Sequence, residues 1–153
     1  MSNILYIHGF NSSPLSYKAE QFRQYLAAHL PHVNFICPQI ASSPLKAIAQ
    51  LEALVEEFIE QPLFLVGSSL GGYLSTFLAQ KYLLKACLVN PAIRPYELLS
   101  DYIGWQENPY TQEKYRVEAI HMEQLKAIEQ QKIDENRYMV MVQTGDEVLD
   151  YRQ

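Results

Sequence analysis

Five short stretches of the 153-residue chain are apolar without alternation: residues 4–7, 33–36, 63–66, 86–89 and 138–142. A continuous apolar run is what a strand needs when both of its faces are covered, as in a parallel sheet. Helical periodicity fills the gaps. It is clearest over residues 44–59, where Leu45, Ile48, Leu51, Leu54, Val55 and Phe58 recur three and four positions apart. Ser13-Pro14-Leu15 and Ser43-Pro44-Leu45 each follow a strand and predict two helix starts. Serine can cap the exposed N–H groups, and proline at the first helical position loses no hydrogen bond. Alternating strands and helices predict an α/β fold with a parallel sheet, strands ordered 2-1-3-4-5 by appearance, and helices on both faces. The rhythm breaks over about residues 91–137, which are long for a crossover and rich in Tyr and charge. This stretch predicts a lid-like excursion above the sheet, with a helix near residues 113–129, within one domain spanning 1–153.

Charge narrows the field of partners. Twelve Lys and Arg against seventeen Asp and Glu leave a net charge of −5, which argues against binding nucleic acid or an anionic membrane surface. No apolar run reaches the roughly 18 residues of a membrane-spanning helix. The N-terminus, MSNILYIHGF, lacks the basic and apolar regions of a secretion signal. Cys37 and Cys87 lie in or beside apolar strands and do not make a disulfide scaffold. These features predict a cytoplasmic protein. His29 and His32 flank Pro31 with no carboxylate or thiol spaced to help them hold a metal. No metal or organic cofactor is expected.

The chemistry concentrates in Gly67-Ser68-Ser69-Leu70-Gly71. Gly-x-Ser-x-Gly is a weak pattern by itself, and a plain Gly- and Ser-rich turn would also explain it. Here an apolar strand precedes it and an amphipathic helix follows, through Leu74, Phe77, Leu78, Ala79 and Tyr82. That is the setting of a nucleophile elbow, in which the serine sits on a very tight turn and its near neighbours must be small. Ser69 is then the candidate nucleophile, with Gly67 and Gly71 giving the turn its room. The first strand runs into His8-Gly9-Phe10-Asn11. In such an arrangement this loop supplies one main-chain N–H to an oxyanion hole, and the residue after the nucleophile supplies the other. Phe10 and Leu70 are the candidate donors. Gly9 lets the backbone approach the substrate, and His8 is expected to hold the loop by hydrogen bonds. The fifth strand leads into Gly145-Asp146-Glu147 and on to Asp150. Asp146 is the candidate triad acid, Asp150 the fallback, and Glu147 a third choice. A Ser–acid–His triad of this order needs a histidine after the acid, and none lies between Asp146 and Gln153. His121, in the excursion, is expected on a helix surface.

These residues together resemble the YqiA-type bacterial esterases. The resemblance rests on Ile4-Leu5-Tyr6-Ile7-His8-Gly9-Phe10-Asn11-Ser12-Ser13-Pro14, on Gly67-Ser68-Ser69-Leu70-Gly71-Gly72-Tyr73, and on Val89-Asn90-Pro91-Ala92. It implies a small α/β-hydrolase with Ser69 as nucleophile, Asp146 as acid, and Phe10 and Leu70 at the oxyanion positions. The family's catalytic histidine should lie beyond residue 153, and the last strand and helix of the fold are expected to be missing from this stretch. The implied activity is hydrolysis of carboxylic esters, with fatty acyl thioesters such as acyl-CoA included. Two other readings stay open: an acyltransferase, and a non-catalytic binding module on a hydrolase scaffold. Without its last strand, the sheet edge at 138–142 would be unpaired and would invite self-association.

Overall fold

The computed structural model describes residues 1–146, 149 and 152. Among the described residues, five strands form the central sheet: β1 (Asn3–Ile7), β2 (Asn34–Ile36), β3 (Leu63–Ser68), β4 (Lys85–Val89) and β7 (Tyr138–Met141). All neighbours pair in parallel, in the order β2-β1-β3-β4-β7. That is the expected order 2-1-3-4-5. Two more strands, β5 (Gly104–Glu107) and β6 (Lys114–Val117), make a separate antiparallel hairpin.

Strand parity divides the core. Leu5, Ile7, Leu63, Leu65, Ala86 and Leu88 pack on one side of the sheet against α2 (Pro44–Phe58) and α3 (Leu70–Tyr82). Tyr6 and Val66 face the other side, where α1 (Tyr17–His29) brings Ala19 and Phe22. Helices therefore cover both faces. Leu5, Ile7, Leu51, Leu65 and Leu78 are almost wholly buried, and each such side chain contributes ~1.5–3 kcal/mol of transfer free energy. Cys37 and Cys87 are free thiols packed on the α1 side.

One of the two expected helix starts needs correction. Helix α1 begins at Tyr17 with Ser16 as its N-cap, three residues later than Ser13-Pro14 predicts. Buried Ser13 instead closes a local turn, its Oγ accepting the Leu15 N–H at 2.9 Å. Helix α2 does start at Pro44 after Ser43, but the Ser43 side chain makes no capping hydrogen bond. Leu45 is exposed, so the buried stripe of α2 begins one turn later.

Residues 91–137 carry α4 (Pro95–Leu98), a 3-10 turn (Leu99–Tyr102), the hairpin, and α5 (Ala119–Ala127). The single helix expected near 113–129 is thus a strand and a shorter helix. Residues 114–117 alternate, with Lys114 and Arg116 exposed while Tyr115 is half-buried and Val117 buried. That period of two suits a half-buried strand better than a helix. Glu118 and His121 then form a reciprocal capping box that starts α5. Tyr73, Leu99 and Leu125 build a small third core, to which Phe10 and Leu70 add their side chains. The excursion is thereby fastened above the carboxyl edge of the sheet. No helix among the described residues is long and apolar enough to cross a membrane.

Candidate active site

Strand β3 ends at Ser68 and α3 begins at Leu70, leaving Ser69 alone to reverse the chain. Its dihedrals are φ 55° and ψ −119°, a region that residues with a Cβ pay to enter. Neighbouring backbone holds it there. The Ser69 N–H donates to the Val89 carbonyl at 3.2 Å, and the Ser69 carbonyl accepts from Gly72 N–H at 3.0 Å and Ala92 N–H at 2.9 Å. The turn also needs empty space on both sides. A Cβ on Gly67 would lie 2.2 Å from the Gly71 carbonyl oxygen, and one on Gly71 would lie 1.9 Å from that of Ile7. Neither position accepts a larger residue without moving the backbone.

The loop after β1 comes directly over this turn. A Cβ built on Gly9 would be 3.3 Å from Ser69 Cβ and 3.8 Å from its Oγ. Gly9, Phe10, Ser69 and Leu70 share a cavity of about 430 Å³. Leu98, Leu99 and Tyr102 form an apolar wall, while Tyr17 and Lys18 of α1 stand at another side. Leu70 opens α3, where main-chain N–H groups have no partner in the preceding turn and the helix dipole favours negative charge. A hydroxyl poised there has the surroundings needed to bear a developing oxyanion nearby.

His8 lines the same cavity but is fully occupied. Its Nε2 accepts the Ile40 N–H at 3.0 Å, so Nδ1 carries the proton and donates to the Gly9 carbonyl at 2.9 Å. Burial holds the imidazole below its ordinary pKa, which keeps this tautomer neutral. His8 therefore ties the loop to the segment after β2. His121 is similarly engaged, its Nδ1 accepting the Glu118 N–H at 3.1 Å. His29 lies against the Tyr25 ring on α1, and His32 is exposed beyond it. Among the described residues, no imidazole other than His8 lines the cavity. The thiols offer no substitute nucleophile, because burial pushes Cys37 up to about 11 and raises Cys87 as well.

Asp146 follows β7 at the same carboxyl edge, two strands from β3. Its Oδ1 accepts the Leu149 N–H at 2.9 Å. It is not among the described residues lining the Ser69 cavity. Asp150 and Glu147 lie outside the described residues. The path from β7 to Asp146 is held by Asn90, the residue that follows β4 in the Val89-Asn90-Pro91-Ala92 stretch. Asn90 sits at φ 42°. Its N–H donates to the Met141 carbonyl at 2.8 Å, its Oδ1 accepts the Gln143 N–H at 2.7 Å, and its Nδ2 donates to Gln143 Oε1 at 3.1 Å. An Asn-Pro pair after a strand was the available signal.

A parallel sheet with a tight strand-turn-helix serine under the β1 loop defines an α/β-hydrolase fold. Solved structures match nearly the whole chain. They include α/β-hydrolase domain-containing protein 10 from mouse, at 17% identity and TM-score 0.68 over 98% of this chain and 72% of that one. A putative hydrolase from Agrobacterium vitis S4 matches at 16% identity and TM-score 0.69 over 99% and 71%. Est1E from Butyrivibrio proteoclasticus matches at 12% identity and TM-score 0.68 over 99% and 70%. At such identities the likeness concerns the fold. Residues 3–153 match the model of the Uncharacterised protein family UPF0227, and the chain belongs to that family.

Proposed function

We propose that the protein is a serine hydrolase of carboxylic esters, with Ser69 as its nucleophile. The observation that carries this reading is the strained Ser69 held at a cavity floor with Gly9 against its hydroxyl side. Ser69 Oγ attacks the acyl carbonyl, and its proton passes to the oxygen or sulfur of the group that will leave. The carbonyl oxygen becomes an oxyanion facing the main-chain N–H groups of Phe10 and Leu70. Collapse releases the alcohol or thiol and leaves an acyl-serine, which water cleaves to the free acid and the original hydroxyl. Asp146 is the acid of the triad. The apolar wall of Leu98, Leu99 and Tyr102 suits an acyl chain, and residues 91–137 act as the lid over it. Acyl thioesters, acyl-CoA among them, belong to the same chemistry. An acyltransferase would differ only in using an alcohol or amine in place of water.

The second reading is a non-catalytic binding module. It is favoured by the occupation of both His8 nitrogens, which leaves Ser69 without a base among the described residues. Turnover of p-nitrophenyl butyrate by the parent and by Ser69→Ala separates the two. The hydrolase reading expects turnover that the substitution abolishes, and equal rates would refute it. Ligand binding at the cavity without any turnover would establish the binding module.

A further inference from the structure

The oxyanion loop is fastened from two sides, and one side is remote in sequence. From below, His8 bonds the segment after β2, and Gln39 Nε2 donates to the Ser12 carbonyl at 3.0 Å. From above, Asn108 Nδ2 donates to that same carbonyl at 2.9 Å. Tyr115 Oη donates to Asn11 Oδ1, and Asn11 occupies the left-handed region at φ 50°. The ring of Phe10 meets Tyr102 and Tyr115 edge-on, with centroids 5.4 and 6.4 Å apart. All these upper contacts come from the 3-10 turn and the β5–β6 hairpin.

Asn108 is built for one contact. It is buried at 6% exposure although it sits in a hairpin turn. Its Oδ1 accepts the Tyr110 and Thr111 N–H groups at 2.8 and 3.2 Å, and its main chain bonds Glu113 and Gln112 at 2.9 and 2.8 Å. The turn therefore locks the amide orientation and leaves Nδ2 to reach Ser12. The exposed Trp105 on β5 shows that the hairpin buries little of its own outer surface.

We infer that the β5–β6 hairpin is a clamp on the oxyanion loop, and that Asn108, with Tyr115, is a positioning residue for the Phe10 N–H. The clamp rests on the hydrolase reading for its catalytic consequence, but not for its structural one.

The test compares the parent with Asn108→Asp and Tyr115→Phe. The aspartate keeps the size and the Oδ1 acceptor but sets a carboxylate oxygen against the Ser12 carbonyl. Tyr115→Phe removes one hydroxyl and preserves the fold if the first variant fails to accumulate. Loss of an oxyanion donor costs on the order of 100-fold or more in kcat, and a displaced donor should cost on the order of tenfold. The expected result is that kcat for p-nitrophenyl butyrate falls by about that factor with KM within about twofold, because the contact matters in the transition state. Hydrogen exchange at residues 9–13 is expected to quicken while that of β1 and β3 stays unchanged. Exchange at 9–13 equal to the parent's, or raised uniformly across the chain, would overturn the clamp whatever the activity. If the parent shows no Ser69-dependent turnover, the hydrolase reading fails and the exchange pattern alone decides the clamp.

Discussion

Replacing Ser69 by glycine should stabilise the protein while ending its activity. Ser69 adopts φ 55° and ψ −119°, close to the first central position of a type II′ turn, where glycine is the favoured residue. A residue with a Cβ held there stores ~1–3 kcal/mol. Glycine releases that strain but costs ~0.5–1 kcal/mol through the greater freedom of the unfolded chain. Ser69→Ala is the proper reference, since it loses the same hydroxyl and keeps the Cβ. The expected difference is ~0–2.5 kcal/mol in favour of Ser69→Gly. For a domain of this size, ~2–4 °C per kcal/mol places its Tm up to roughly 10 °C above that of Ser69→Ala. Calorimetry gives the Tm, and urea titration at matched slopes gives the free energy. An alanine variant more stable than the glycine variant by ~0.5–1 kcal/mol would show that the turn holds no strain at Ser69. A site that surrenders stability for geometry is the usual trade at a catalytic centre.

Other expectations follow from the same geometry. Gly71→Ala would thrust a Cβ to 1.9 Å from the Ile7 carbonyl oxygen, so we expect loss of several kcal/mol; an unchanged urea midpoint would contradict it. His8 is held below its ordinary pKa by burial, so the unfolded chain takes up its proton first. Its contribution to stability is complete above the unfolded value of about 6.5 and is lost as pH falls through the lower folded value. The unfolding free energy of the parent should therefore drop more steeply from pH 7 to 5 than that of His8→Gln, and parallel curves would count against this. Leu98→Trp should narrow the apolar wall and raise KM for long-chain p-nitrophenyl esters more than for the acetate; an unchanged chain-length preference would remove the acyl chain from that wall. Strand β7 ends the sheet among the described residues, with Met139, Val140, Met141 and Val142 exposed. We expect concentration-dependent association in light scattering, weakened by Val140→Lys, and a monomer at all concentrations would refute pairing through this edge.

The central sheet was legible because its strands are mostly apolar, and β1 and β3 at its middle are largely covered on both faces. Residues such as Leu5, Ile7 and Leu65 must all be apolar, so the runs stand out, and only their ends shift by a residue or two. The turn at Ser69 was legible for a different reason: the steric demand of one tight reversal falls on Gly67 and Gly71, a few positions away. What escaped reading was non-local or ambiguous in period. Residues 114–117 run into α5 without a break in composition, so a strand and a helix merged into one expected helix. Asn108 and Tyr115 grip Ser12 and Asn11 across separations of 96 and 104 residues, and no local pattern marks such a pairing. Ser13 misled because serine before proline fits a cap and a simple turn equally well. Asp146 follows β7, and the turn leading to it is held by Asn90 through Gln143, a pairing across 53 residues that no local pattern marks.

The most direct test of the account is to treat the parent protein with a serine-directed fluorophosphonate and to map the adduct by peptide mass spectrometry. The account predicts one phosphonylated residue, Ser69, with labelling slowed when a carboxylic ester occupies the cavity and absent in Ser69→Ala. An unmodified Ser69, or an adduct that forms equally on Ser68 or in Ser69→Ala, would contradict it.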